Sequence, residues 1–314
     1  MALSQSQLVS LLGEIRQRGR VPKHRWPKDG TSVSVLGLEV DGDDIVLPKD
    51  VRLHLDSYIR ENVCNLGSGV VFSLFDTIDS TNTAMTESAG DASVKDHLFV
   101  TEYQSAGRGR RGKVWLGDYG RNIAMTLGHG MDCKMSELGG LSCVVGLALI
   151  QSLEEYGFDA ELKWPNDVWV NDHKLAGVLV ELIQNSSRVC AVIGIGMNVN
   201  LSAERVAEID QDVTSLRALG LETSRDDLVI AIYTNLARNL NVFEANGFAP
   251  FVEAFDSVHR LHNHPAVLRI SGSERAGFVR GIDLSGGLIF EENSGTTIVS
   301  GGEVSLRPSF STNP

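Results

Sequence analysis

The segment GRGRRGKVW at residues 107–115 concentrates three arginines, one lysine and three glycines. Guanidiniums offer forked N–H donors that match carboxylates and phosphates, and glycines leave backbone amides uncovered, so the pattern suits a loop that wraps a polyanion. Gly107, Gly109 and Gly112 also spell G-x-G-x-x-G, the dinucleotide fingerprint. That motif needs a preceding strand and a helix opening on its last glycine. HLFVTEY at 97–103 supplies the strand, but KVWLGDYGRNIAMTL shows no helical period. A nicotinamide-dependent oxidoreductase is therefore disfavoured, and the plain alternative is a solvated loop with chance arginines.

Two further stretches suit the same anion. KWPND puts Lys163 and Asp167 on either side of a proline-fixed turn at a strand end. HKLAGVLVE puts Lys174 at a strand start, followed by Ala176 and Gly177, which permit close approach of a ligand to backbone. Singly, each lysine reads as a solvated strand-end charge. Their occurrence in one hairpin weakens that reading. HRLHNHP at 259–265 carries three histidines but fits no common zinc spacing, so these read as surface side chains of a linker and no metal ligands are expected.

Around these residues, Leu8, Leu11, Leu12 and Ile15 have the spacing of an amphipathic helix. A basic run with six Lys or Arg between Arg16 and Lys28 follows, kept irregular by Pro22 and Pro27. TSVSVLGLEV and DDIVLP read as two strands joined at an Asp-Gly turn, and VRLHLDSYIREN as a linking helix. From Val70 strands and helices mix: a helix starts at DSTN, an apolar helix spans 135–157, and ELKW, DVWV, KLAGVLVELI and RVCAVIGIGMNVNL form hairpins through turns at Pro165-Asn166, Asn171-Asp172 and Asn185-Ser186. Two helices, 224–246 and 248–258, precede short strands at 265–306 that suggest a small barrel of about five strands. The dominance of antiparallel hairpins indicates α+β rather than a doubly wound fold.

Length and composition agree. The 314 residues suffice for two or three units with cores, and 42% hydrophobic with 22% charged residues is ordinary for a globular chain. The formal charge of -12 argues against generic nucleic-acid coating and leaves anion binding to local patches. Four scattered cysteines suggest neither a zinc site nor a disulfide framework. With no signal-peptide pattern and no apolar run of spanning length, a cytoplasmic protein without membrane association is expected.

In order, DSTN, EYQSAGRGRRG, KWPND, KLAG, GIGMNVN and the tail GGEVSLR resemble the motif set of biotin protein ligases, over residues 70–307. GRGRRG with KWPND and KLAG is specific enough to separate these from lipoate ligases. The resemblance implies a mixed-sheet class II synthetase-like catalytic domain at 70–263, a Src-homology-3-like β-barrel at 264–314 and a short winged-helix-like unit at 1–69. It implies a two-step reaction: biotin and ATP give biotinyl-AMP, and a lysine of the biotin carboxyl carrier protein of acetyl-CoA carboxylase then takes the biotinyl group, with Mg2+ accompanying ATP.

By motif matching, Ser80, Thr81, Asn82 and Gln104 would line the biotin and adenylate site, while Arg108, Gly109 and Arg110 fold over carboxyl and phosphates, with Arg110 as the chief clamp on the adenylate. Lys174 would bind carboxyl or α-phosphate oxygens, Lys163 the phosphates, and Asp167 the metal or incoming amine. Gly177 and Val180 would form the biotin floor with Trp115 beside it, Asn198 would serve the adenine side, and Arg307 would reach the triphosphate. Two departures stand out. QDVTSL at 211–216 has Val213 where the family often places an aromatic over the adenine, and the second and third helices of a regulatory winged helix-turn-helix are not recognisable. Specific operator binding is therefore not expected, although a biotin-responsive repressor is the alternative function and a homodimer is compatible with either.

Overall fold

Leu8, Leu11, Leu12 and Ile15 do lie on one face of a helix, α1 (Gln5–Arg18), and are buried against a small sheet. In the computed structural model, residues 5–26, 33–66, 69–88, 96–185, 188–270, 273–300 and 304–308 are described. The small sheet comprises β1 (Arg20–Pro22), β2 (Glu39–Asp41) and β3 (Asp44–Val46), ordered β1-β3-β2 and antiparallel. The Asp-Gly turn between β2 and β3 is present, with Gly42 at φ 59°. Two expectations fail here. The basic run is not irregular throughout: Arg16 and Arg18 belong to α1, and Arg20–Pro22 forms β1, where Val21 pairs with Ile45 and both side chains are buried. The preceding strand of the hairpin is mostly absent: Ser34–Leu36 forms a 3-10 turn closed by Gly37 at φ 69°.

Helix α2 (Asp56–Cys64) leads into the central sheet, and its Ile59 and Val63 belong to the main core. Conversely, Tyr103 and Tyr119 of the central region pack with α1 and the small sheet. Described residues on either side of the boundary expected near residue 69 thus pack together.

The central sheet is built from β4 (Val71–Phe75), β5 (His97–Thr101), β6 (Ile123–Met131), β7 (Glu161–Lys163), β8 (Asp167–Val170), β9 (His173–Asn185) and β10 (Arg188–Met197). Their order is β4-β5-β6-β10-β9-β8-β7, and every pair is antiparallel except β4 with β5. Alternation of side chains divides the sheet. Met125, Leu127, Val178, Ile193 and Ile195 join the main core with α4 (Leu141–Glu154) and α6 (Arg225–Asn246). The opposite face receives α3 (Thr81–Ser88), which starts at the expected cap. The turn at Asn171-Asp172 is present with both residues at positive φ, whereas the Asn185-Ser186 turn lies partly outside the described residues. Between β10 and α6 runs α5 (Ala203–Glu208), and α7 (Val252–Val258) follows a 3-10 turn.

The long helix expected at 135–157 is broken. Met135–Glu137 is a 3-10 turn and α4 begins after Gly140, which stands at φ 76°. At this break the C-terminal unit docks: a Cβ on Gly139 would lie 2.5 Å from the Ser285 carbonyl oxygen, and Trp164 Nε1 donates to the Gly286 carbonyl at 3.2 Å. The C-terminal strands are β11 (Pro265–Ile270), β12 (Ser273–Ile282), β13 (Leu288–Glu292), β14 (Gly295–Val299) and β15 (Val304–Pro308), an antiparallel sheet ordered β14-β13-β12-β11-β15. Leu268, Val279 and Phe290 are continuous with the main core.

The surface reading holds for His264, which is exposed, but fails for His259. His259 is 5% exposed and stacks near Phe255 with ring centroids 5.1 Å apart; neither ring nitrogen has a hydrogen-bond partner among the described residues. Burial, reinforced by His262, pushes its pKa down to about 3. Below an ordinary histidine pKa of about 6.5 the unfolded chain takes up a proton that the folded chain refuses, so stability falls with pH from about 6.5 towards 3, by roughly 1.4 kcal/mol per unit. His259→Phe should flatten that slope in urea melts at pH 7, 6 and 5. Parallel slopes for the two proteins would contradict the assignment.

Candidate active site

The turn between β7 and β8 holds two cations at consecutive residues. Arg110 Nη1 donates to Asn166 Oδ1 at 2.9 Å, and Lys174 Nζ lies 2.8 Å from Asp167 Oδ1. Asn166 is itself fixed to β9, donating from Nδ2 to the Val178 carbonyl at 2.8 Å and accepting from the Val178 amide at 2.9 Å. Burial lowers the Arg110 pKa from its ordinary value, and the Asp167 carboxylate partly offsets this. A guanidinium stays charged at any such value, so a desolvated cation is available. The Lys174 backbone is clamped too: its amide donates to the Asp212 carbonyl and its carbonyl accepts from Thr214, both at 3.0 Å. Val213 therefore lies directly beside Lys174.

The glycine-rich loop crosses this face as a tight hairpin. Trp115 N donates to the Gly107 carbonyl at 2.8 Å and Gly109 N to the Lys113 carbonyl at 2.7 Å, with a short 3-10 turn at Arg110–Gly112. No helix opens on Gly112, as the failed dinucleotide motif implies. A cavity of about 350 Å3 is lined by residues 106–114 with Leu179 and Glu181. Trp115 lies against Gly196 and Gly177, where any Cβ would meet its ring, and Lys174 Nζ stands 5.7 Å from the ring centroid. The open backbone of Gly177 thus receives Trp115 and Lys174. Ala176 is fully buried in the core.

Below the loop root a polar cluster forms. Gln104 Oε1 accepts from the Thr81 amide at 2.8 Å and hydroxyl at 3.1 Å, and Thr126 Oγ1 lies 2.8 Å from Thr81 Oγ1 and 2.7 Å from Asn82 Oδ1. Asn82 Nδ2 donates to the Leu179 carbonyl at 3.2 Å and to Glu181 Oε2 at 2.9 Å. Asn82 is thus spent on protein contacts and ties α3 to β9. Gly194 makes that possible, since a Cβ there would collide with the Asn82 amide. Ser80 is buried at the start of α3.

Other expected residues are placed differently. Val180 packs against the main core, on the face opposite Gly177 and Leu179, because successive strand residues alternate. It is not a floor side chain. Arg108 reaches Glu181, with Nη2 at 2.7 Å and Nη1 at 3.3 Å, rather than the Lys174 end of the site. Lys163 shares the face of Asp167 across the β7–β8 pair, and its Nζ lies 4.6 Å from the Trp169 ring centroid. Asn198 is buried where β10 ends; its amide donates to the Leu175 carbonyl at 2.9 Å and its carbonyl accepts from Leu216 at 3.1 Å. Arg307 sits opposite Val267 on β15, and its side chain lies outside the described residues. Sequence reading assigned nothing to Asn166 or Glu181. The signal for Glu181 was available: it stands four residues after Gly177 and so shares its face.

Mixed-sheet topology, a hairpin of glycines and arginines and paired cations at one turn define an α+β group-activating site. Residues 74–198 match the model of the biotin/lipoate A/B protein ligase family. The chain is 32% identical over 307 residues to the bifunctional ligase/repressor BirA of Escherichia coli, covering 97% of this chain and 92% of that protein. It is 30% identical over 278 residues to the biotin--[acetyl-CoA-carboxylase] ligase of Mycobacterium tuberculosis, covering 84% and 98%. The structure of the Aquifex aeolicus biotin protein ligase in complex with biotin and ATP superposes with a TM-score of 0.65 at 27% identity, covering 76% of this chain and 99% of that one. This chain belongs to the biotin protein ligase family.

Proposed function

We propose that the protein activates biotin with ATP as biotinyl-5'-AMP and transfers the biotinyl group to a lysine of a biotin carboxyl carrier protein. The observation that carries this is the anchoring of Arg110 and Lys174 at adjacent residues of one turn, beneath the glycine-rich loop. In the first step a biotin carboxylate oxygen attacks the α-phosphorus and pyrophosphate leaves. The carboxylate is already ionised, so no general base is needed, and the task is to hold two anions together. Lys174 and Arg110 neutralise carboxyl and α-phosphate oxygens, Lys163 and Arg307 the outer phosphates, and Asn198 the adenine side. Ser80, Thr81 and Gln104 receive the heterocyclic end of biotin. In the second step the acceptor amine attacks the acyl carbon and AMP leaves, with Asp167 orienting the amine.

Magnesium enters with ATP as part of that substrate; among the described residues no group of three or more His, Cys, Asp or Glu side chains could hold a metal. One carboxylate, Asp167, at this turn suits an ion that keeps its waters and binds through phosphates. Incubation with ATP, magnesium, biotin and an acceptor domain should give one biotinyl amide on the acceptor lysine, seen by intact mass. No mass gain with a folded acceptor would overturn transfer.

Arg110→Gly removes one of the two anchored cations while leaving the other. It should raise the release rate of biotinyl-AMP by about tenfold, so that bystander lysines are labelled as well as the acceptor. Retention of the intermediate at the parent rate would rule out a clamp.

In this reading residues 70–263 are a class II synthetase-like catalytic unit, 264–314 a Src-homology-3-like barrel, and α1 with its three strands a reduced winged-helix-like unit within 1–69. No described helix is long and apolar enough to cross a membrane, in keeping with a cytoplasmic enzyme. A second reading, a biotin-responsive repressor, is favoured by the match to a ligase/repressor over 97% of the chain. Against it, the β2–β3 tip carries Asp41, Asp43 and Asp44, which DNA phosphates repel. A mobility-shift assay is expected to show no sequence-selective, biotin-enhanced complex. Such a complex would establish the repressor.

A further inference from the structure

The two arginines that flank Gly109 are held at opposite ends of the site. Arg110 is anchored on Asn166, beside Lys174 and Asp167, at the Gly177 end of β9. Arg108 is anchored on Glu181, four residues further along the same strand and on the same face. At about 3.3 Å per residue that separation is roughly 13 Å. A carboxyl and an α-phosphate that react with each other cannot occupy both ends at once. Glu181 is moreover an anion bordering the cavity, and it would repel a phosphate brought to its end.

We propose that Glu181 and Arg108 form a clasp that positions the glycine-rich loop over the ureido-binding end of the site, leaving Arg110, of the two arginines that flank Gly109, as the clamp on the reacting anions. This rests on the biotin ligase reading and refines it: Arg108 holds the loop, and Glu181 is a positioning residue. Both Glu181 oxygens are engaged by Arg108, and Oε2 also accepts from Asn82 Nδ2 at 2.9 Å. Asn82 lies next to Thr81, whose amide and hydroxyl fix Gln104. Asn82 is also 4% exposed and rigid through Thr126 and the Leu179 carbonyl. The clasp therefore ties the first arm of the loop to the same residues that orient the neutral ring of biotin, and it works through geometry rather than charge on the reaction.

The test is a pair of charge-neutral variants, Glu181→Gln and Arg108→Gln, and their double mutant. Each single variant should raise KM for biotin in pyrophosphate exchange about fivefold, the scale of a half-exposed ion pair, while changing kcat less than KM. Amide hydrogen exchange at residues 108–112 should quicken by a similar factor, and the double variant should add little to either single one. Glu181→Asp, which keeps the charge, should recover part of the KM. A fall in kcat at constant KM in Arg108→Gln would make Arg108 an anion clamp and overturn the proposal, as would additive effects or unaltered loop exchange. Loop exchange is read without substrate, so it tests the clasp even if the protein showed no biotin-dependent activity.

Discussion

Lys174→Ala is expected to slow formation of the adenylate by a factor on the order of 10² or more, with a far smaller loss of biotin affinity. The lysine is 14% exposed at its side chain, held by Asp167, and its backbone is fixed on both sides by Asp212 and Thr214. A cation so fixed needs little reorganisation as charge shifts between carboxylate and phosphate. Single-turnover formation of biotinyl-AMP, set against biotin binding measured by calorimetry, separates the two quantities. Equal losses in rate and affinity would reduce Lys174 to a ground-state contact.

The second large effect concerns stability. Glu102→Gln should cost about 3–5 kcal/mol, because Glu102 is the hub of a charge cluster and its neutralisation leaves the buried Arg225 without its carboxylate. Its side chain is fully buried; Oε1 accepts from Arg16 Nη2 and the His54 amide, both at 2.6 Å, and Oε2 accepts from Arg225 Nη2 at 2.7 Å. Burial raises its pKa, but Arg225, His54 and Arg16 together outweigh burial and hold it at about 2. The native pKa lies below that of an ordinary glutamate, so this contribution is present above about pH 4.5 and is lost as pH falls towards 2. Arg16 comes from α1 and Arg225 from α6, so the same hub joins the N-terminal unit to the catalytic body. Urea unfolding at neutral pH reads the effect. A cost below about 1 kcal/mol would mean that the joint is not held there.

That joint also marks the limit of what sequence patterns revealed. The strands at KWPND and KLAG, the I′-like Asn171-Asp172 turn and the α3 cap were legible because each depends on neighbours in sequence. The close packing at Gly139 and Gly140 was not, since Ser285 and Phe248 come from far along the chain. Val180 was misplaced for a simpler reason: period-two alternation from Gly177 already puts it on the other face. The resemblance already favoured Arg110 of GRGRRG as the clamp, but the separate anchoring of Arg108 was not legible, because its partner Glu181 comes from another strand. His259 was taken for a surface side chain because its burial depends on the docking of α7 against β7, seen in the Leu162–His259 bridge.

The most direct test of biotin activation is exchange of labelled pyrophosphate into ATP. Purified protein with ATP and magnesium should exchange label only when biotin is added, and neither lipoate nor octanoate should substitute for it. Exchange that is absent in folded protein, or that proceeds equally without biotin, would contradict the assignment of Arg110 and Lys174 to an adenylating site.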